Sequence, residues 1–219
     1  MKLINIAIVC FLAITAVSRC LSATQKPAVY GNETEATEYQ VIELTPICNQ
    51  RNNAIKGTQD IERDTYRLQI DGLVEQPENL TYDQILEYPS TSKVVDMNCV
   101  EGWGFTAKWT GIRLETVLNV TGVEENANKV VFYCADGYSK SHDLDYLLDN
   151  NIILAYKIND ITLPPDRGFP LQLVAEDKYG YKWAKWITRI EVTNVDHRGY
   201  WEIRGYSDKA DVGGPAFER

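Results

Sequence analysis

From Tyr66 to Val195 the chain is a succession of short apolar stretches, several with a two-residue period, joined by segments too short for regular crossover helices. That feature rules against a doubly wound parallel sheet, whose strands need a long helical connection between them. "YRLQIDGLV" (66–74) sets Tyr66, Leu68 and Ile70 against Arg67, Gln69 and Asp71, the pattern of a half-buried strand ended by Gly72. "TYDQILEY" has Thr81 with Gln84 three residues on, a capping box for a short helix that Pro89 stops. "SKVVDMN", "KVVFYCA", "FPLQLVAE" and "KWITRIEVTNV" read as strands. "IRLETVLNV", with Ile112, Val117 and Leu118 near helical spacing, and "HDLDYLLDN" read as short helices. "IILAYKI" and "ITLP" flank Asn159-Asp160, a hairpin turn. The expectation is an α+β domain with mixed β-sheets and short helices.

The first residues have a different character. Lys2 precedes an almost wholly apolar run, Leu3 to Val17, which is shorter than the roughly 20 residues of a spanning helix. Residues 1–23 are therefore expected to be a signal peptide or N-terminal anchor, and the protein to be exported to the periplasm or cell surface. Residues 24–44, polar and aperiodic, are expected to be a flexible lead-in, and residues 45–219 the functional domain. The 219 residues carry 22 Lys+Arg and 31 Asp+Glu, a net charge of -9. An acidic surface repels nucleic acid and anionic lipid, so neither is expected as a partner. A monomer is expected.

The stretch "DMNCVEGWG" (96–104) places Cys99 before a glycine-rich turn, with no second cysteine and no histidine nearby. Spacings among Cys48, Cys99 and Cys134 match no zinc or haem-attachment pattern. Three readings stay open on these residues alone. Cys99 is a small buried hydrophobe, a nucleophile served by His142 or His197, or a thiolate on a metal whose other ligands come from a cofactor. A second stretch, "DKYGYKWAKWITR" (177–189), is a basic island with Lys178, Lys182, Lys185 and Arg189 against Asp177 alone. Lysines beside a glycine turn can hold a phosphate. They can equally snorkel from a strand whose aromatics are core.

Together the two stretches resemble the molybdopterin-binding domain of the sulfite oxidase superfamily, most closely its bacterial branch, which includes the periplasmic methionine-sulfoxide reductase catalytic subunit. The resemblance runs from about Thr45 to Val195. It rests on "CVEGW", "WTGIRL", "FYCADGY", "LAYKIND" with "ITLPPDRGFPLQL", and "KYGYKWAKWITRIEV", in the family's order and spacing.

The resemblance implies a molybdenum-molybdopterin cofactor (Mo-MPT) whose metal takes the Cys99 sulfur. It implies that Asn98 and Val100 border the metal, with Ala135 and Asp136 close by, Asp136 in a catalytic role. It implies that Lys185, with the backbone of Trp183 and Ala184, holds the cofactor, that Lys178 and Lys182 assist, and that Arg167 and Gln172 contribute. Gln172 stands where many relatives have arginine, a departure that removes one charge. Asn49, Arg51 and Asn52 are the candidates from an N-terminal loop. The expected reaction is oxygen-atom transfer on a small or protein-bound substrate, like that of a sulfoxide reductase. Glu101-Gly102-Trp103 lies where sulfite oxidases of animals and plants carry an arginine, which weakens sulfite oxidation as the alternative. A cofactor-free binding domain on the same scaffold is the rival from another class. With no haem or iron–sulfur motif in the chain, electrons are expected to pass through a membrane haem or quinone-linked protein.

Overall fold

The structure, a computed structural model, describes residues 28–218. The leader expected over residues 1–23 lies outside the described residues. Two short hairpins come first, β1 (Val29–Tyr30) with β2 (Glu33–Thr34) and β3 (Glu38–Tyr39) with β4 (Ile42–Glu43). β5 (Arg67–Gly72), β6 (Glu78–Thr81) and α1 (Tyr82–Glu87) follow, then the long hairpin of β7 (Ser90–Asn98) and β8 (Gly104–Arg113). α2 (Leu114–Thr121), β9 (Lys129–Cys134), β10 (Ser139–Asp143), α3 (Leu144–Asp149), β11 (Ile153–Ile158), β12 (Ile161–Thr162), β13 (Gln172–Val174) and β14 (Ile187–Thr193) complete the order.

The strands build two main sheets. One runs β10-β9-β14-β5-β6; the other runs β12-β11-β8-β7, with β13 also on β11. Pairing is antiparallel except where β14 lies parallel to β5, Ile190 opposite Ile70. The alternation read in 66–71 is real: Tyr66, Leu68 and Ile70 are buried, while Arg67 and Gln69 are exposed. In β8, Phe105, Ala107 and Trp109 are buried by the same period. Each such fully buried large apolar side chain contributes roughly 1.5–3 kcal/mol. The capping box at α1 forms in both directions: Gln84 N donates to Thr81 Oγ1 at 3.1 Å, and Thr81 N to Gln84 Oε1 at 2.8 Å. The turn at Asn159 and Asp160 has both residues at positive φ, 47° and 65°, as a two-residue hairpin turn of the primed kind requires.

Three expectations need correction. Residues 28–44 are not a flexible lead-in but are docked on the domain. Glu35, 2 % exposed, accepts from Ile47 N at 2.6 Å and from Asn159 Nδ2 at 3.2 Å, and Leu44 is buried. Glu33 ion-pairs with Lys157 at 2.9 Å. The second helix starts two residues after Ile112, at Leu114, because β8 continues through Arg113. His142, the first residue of "HDLDYLLDN", is not part of the helix, which begins at Leu144. It lies in the buried polar strand β10, stacked on Tyr146 at 5.3 Å with Nε2 3.0 Å from the Lys182 carbonyl.

Candidate functional site

A cleft of about 620 Å³ opens where loops of the two sheets meet. The β7–β8 hairpin delivers Cys99 to it, the β9–β10 turn delivers Asp136, and the segment before β14 delivers Trp183 and Lys185. Loop 51–55 and residues 200–206 supply the remaining walls.

Cys99 sits at the first position of the five-residue β7–β8 loop. Its N–H donates to Trp103 O at 2.8 Å, and its carbonyl accepts from Gly102 N at 3.0 Å, so the loop doubles back tightly. Trp103 Nε1 donates to Glu101 Oε2 at 2.8 Å, which stiffens the tip. Burial raises the Cys99 thiol above its ordinary value, and hydrogen bonds from the backbone of Glu101 and Val100 oppose that rise. Those N–H groups would favour a thiolate once a metal displaces the proton. Among the described residues no group of three or more His, Cys, Asp or Glu is placed to hold a metal ion. Cys99 could therefore hold one only with ligands from a cofactor.

Lys185 lies on a segment fastened on two sides. Leu173 N donates to Ala184 O at 2.8 Å, and Ala135 N to Trp186 O at 2.9 Å. Gly168, at φ +98°, lets the chain pass this segment; a Cβ there would stand 3.0 Å from the Lys185 Cβ. Lys185 Nζ donates to Asn52 Oδ1, and to Asn53 O at 2.7 Å. Burial, reinforced by the Arg167 guanidinium, brings the Lys185 ammonium down to about 8. A cation hydrogen-bonded only to neutral groups, next to a second cation, is a receptor for an anion.

Arg167 is buried and spends its guanidinium on the loop opposite. Nη1 donates to Arg51 O at 3.1 Å; Nη2 donates to Ile47 O at 3.1 Å and Gln50 O at 2.6 Å. It thereby sets the loop from which Asn52 meets Lys185. Its Nε is buried 3.4 Å from Asp166 Oδ2, and Nε1 of Trp109, another lining residue, is buried without a hydrogen-bond partner. Unpaired buried donors are rare in folded proteins and call for a ligand or water. Cys99 and Lys185, converging on one cleft, fit a polar, anionic cofactor that carries a metal. Trp183 packs on Trp109 with ring centroids 5.5 Å apart and closes the floor.

The structure brings together Arg51, Asn52, Cys99, Val100, Asp136, Arg167, Gln172, Trp183 and Lys185 as cleft lining. Asp136 is 3 % exposed, with Oδ1 accepting from Tyr138 N at 2.9 Å. The six other candidates lie off the lining, and the two lysines among them are ion-paired elsewhere. Lys178 is ion-paired with Asp211 and stacks over Tyr146. Lys182 is buried among Glu202 at 3.4 Å and Asp208 at 2.9 Å, so its charge is answered inside the protein. Asn49 stands in an exposed turn, Asn98 bridges to Tyr179, and Ala135 and Ala184 offer backbone alone, both used within the fold. Neither histidine lines the cleft. Burial and the nearby Lys182 hold His142 well below the usual imidazole range, and His197 Nε2 lies 2.9 Å from Ser139 Oγ. A Cys99–histidine nucleophile is therefore not built.

The sequence reading missed Asn53, Trp109, Tyr138, Tyr181, Tyr200, Trp201 and Tyr206, all cleft lining. The aromatic run "GYWEIRGY" (199–206) in an otherwise polar tail was the available signal for three of them.

Residues 55–201 match the family described as the oxidoreductase molybdopterin binding domain. Among similar proteins, the subunit YedZ1 of Azospira oryzae is 36 % identical over 148 residues, covering 68 % of this chain and 56 % of the relative. The protein-methionine-sulfoxide reductase catalytic subunit MsrP of Gluconobacter oxydans is 33 % identical over 150 residues, covering 60 % and 47 %. The chain thus spans about half the length of these relatives. The crystal structure of the sulfane dehydrogenase SoxCD from Paracoccus pantotrophus superposes with a TM-score of 0.65 at 20 % identity, covering 90 % of this chain and 58 % of that one.

Proposed function

The chain belongs to the oxidoreductase molybdopterin-binding domain family of the sulfite oxidase superfamily and takes molybdenum-molybdopterin, and from that premise we propose that it is a sulfoxide-type reductase. When bound, the cofactor supplies a two-electron redox centre and an oxygen acceptor. In balance, a sulfoxide, two electrons and two protons give a thioether and water.

The chain's own residues have distinct tasks in this reading. Cys99 would ligate the metal through Sγ, and the backbone N–H groups of Val100 and Glu101, which already favour its thiolate, would temper the sulfur's charge. Lys185 binds the cofactor phosphate by charge, and Asn52 and Asn53 aim its Nζ. Arg167 holds that loop in place, and Gln172 and Trp183 line the same end. Asp136 and Glu101 are the acids in the lining. Asp136 Oδ1 is occupied by Tyr138 N–H, which leaves Oδ2 to pass a proton toward the departing oxygen.

The observation that carries the reading is one unpaired sulfur and one lysine hydrogen-bonded only to neutral groups, facing a single cleft. Reduction of methionine sulfoxide and dimethyl sulfoxide by the molybdenum-loaded protein, with a reduced viologen as electron donor, tests it. Viologen oxidation that depends on sulfoxide supports the reading; its absence in fully loaded protein rejects it. Electrons arrive, in this proposal, from a membrane haem or quinone-linked protein. Export rests on the apolar run Leu3–Val17. N-terminal sequencing of the purified protein tests that part, and an intact Met1 in the mature protein would remove the cleaved signal.

A further inference from the structure

Ten of the residues that line the cleft are aromatic. Five of them, Tyr138, Tyr181, Tyr200, Trp201 and Tyr206, form a connected arc. Ring centroids are 5.9 Å apart for Tyr138–Tyr200, 5.1 Å for Tyr200–Trp201, 5.0 Å for Trp201–Tyr206 and 5.1 Å for Tyr206–Tyr181. Tyr138 Oη donates to Tyr181 O at 2.5 Å, which joins the two ends of the arc. Edge-to-face and tilted contacts of this kind fix ring orientation.

Three of the five rings lie in 200–206: Tyr200 and Trp201 are the last two residues of the family match, and Tyr206 lies just past it. Cys99, Arg167 and Lys185 lie within the match, Asn52 and Asn53 before it, and residues 200–206 complete the wall. Glu202 anchors it: 1 % exposed, it pairs with buried Lys140 and lies 3.4 Å from Lys182. Tyr181 Oη donates to Ser207 O at 2.8 Å on the far side.

The electrostatics of the arc decide what it accepts. Lys140 Nζ already lies 5.1 Å from the Tyr181 centroid and 5.7 Å from that of Tyr138. Arg204 lies 3.6 Å from the centroid of Tyr200. Neither cation lines the cleft, so three rings are polarised from outside it. A second cation placed in the cleft would meet a cation already seated on the same rings and a weakened ring quadrupole, although the Lys140 charge itself is answered by Glu202. An uncharged apolar group meets neither.

We propose that this aromatic arc is the specificity-determining surface of the cleft, taking an uncharged aryl or alkyl substituent beside the reacting sulfoxide and rejecting a cationic one. The reacting group is taken from the function proposed above. Sulfones share the sulfoxide's polar S–O bond and two carbon substituents, and add a test read from binding alone. Tryptophan fluorescence of the molybdenum-loaded full chain would be titrated with methyl phenyl sulfone, dimethyl sulfone and the cationic 4-(methylsulfonyl)benzylamine. The expected order has methyl phenyl sulfone tighter than each of the others by about tenfold, the scale of hydrophobic pocket selectivity. Tyr206→Ala, checked for cofactor content and circular dichroism, should reduce that preference to within about threefold, and Tyr206→Phe should restore it. Equal binding of the three sulfones, tighter binding of the amine, or an unchanged preference in Tyr206→Ala overturns the proposal. Selective sulfone binding without sulfoxide turnover would reject the proposed reaction and keep the arc; turnover without selectivity would do the reverse.

Discussion

Lys185 and Asn53 lie 132 residues apart in sequence and meet at 2.7 Å, the lysine Nζ donating to the asparagine carbonyl. With Asn52 Oδ1 as its other acceptor, the ammonium is oriented by dipoles and neutralised by none of its hydrogen-bond partners. That arrangement is costly for the empty protein and favourable once an anion arrives.

Lys185→Ala should therefore reduce cofactor occupancy more than stability. A charge-assisted hydrogen bond contributes about 1.5–3 kcal/mol, which is roughly 10- to 100-fold in affinity. Molybdenum and pterin content per chain, beside a denaturation midpoint, checks it. Equal molybdenum content in variant and wild type would count against the role.

The same lysine sets a pH dependence. Its ammonium falls to about 8 through burial and Arg167, whereas an unfolded lysine titrates near 10.4. The depressed value means that the unfolded chain binds more protons between those limits, so this group's contribution to stability rises as pH goes from about 8 to 10.4. Anion binding has the opposite sign, because it needs the charged form. The affinity of cofactor-free protein for inorganic pyrophosphate should fall above pH 8, by up to about tenfold per unit. Lys185→Arg should flatten that fall, as measured by calorimetry across pH 7–10.

Asn159 is the structural counterpart. It is fully buried, donates to Thr45 O at 3.0 Å and Glu35 Oε1 at 3.2 Å, and accepts from Lys108 N at 3.1 Å. Asn159→Ala leaves those partners unsatisfied and puts alanine at a φ of 47°. A loss of about 2–4 kcal/mol is expected, read from the urea midpoint. A shift below about 0.5 kcal/mol would mean that residues 28–44 are not fastened through this side chain.

What the sequence revealed depended on how local each signal was. The Tyr66–Asp71 alternation, the Thr81–Gln84 box and the Asn159-Asp160 turn are short-range patterns, and each folds as read. β10 was invisible because Lys140, Ser141 and His142 are polar yet buried. Their partners Glu202, the His197 carbonyl and the Lys182 carbonyl come from 40 to 62 residues away. The same limit governed the site. Charge density marked Lys178, Lys182 and Lys185 alike. Only the tertiary placement of Asp211, Asp208 and Glu202 separates the two lysines that are paired inside the protein from the one that is not. The motif around Cys99 was legible because its tight turn is local; the aromatic wall facing it was not.

The central claim is that the Cys99 sulfur is bonded to the metal. Even outer-shell partners of a metal site typically matter by 10- to 100-fold, so Cys99→Ser should lower turnover by at least about 100-fold while the fold persists. The most direct measurement is molybdenum K-edge X-ray absorption on fully loaded wild type and Cys99→Ser. The account predicts one sulfur neighbour fewer in the variant; an identical sulfur shell in both would contradict it.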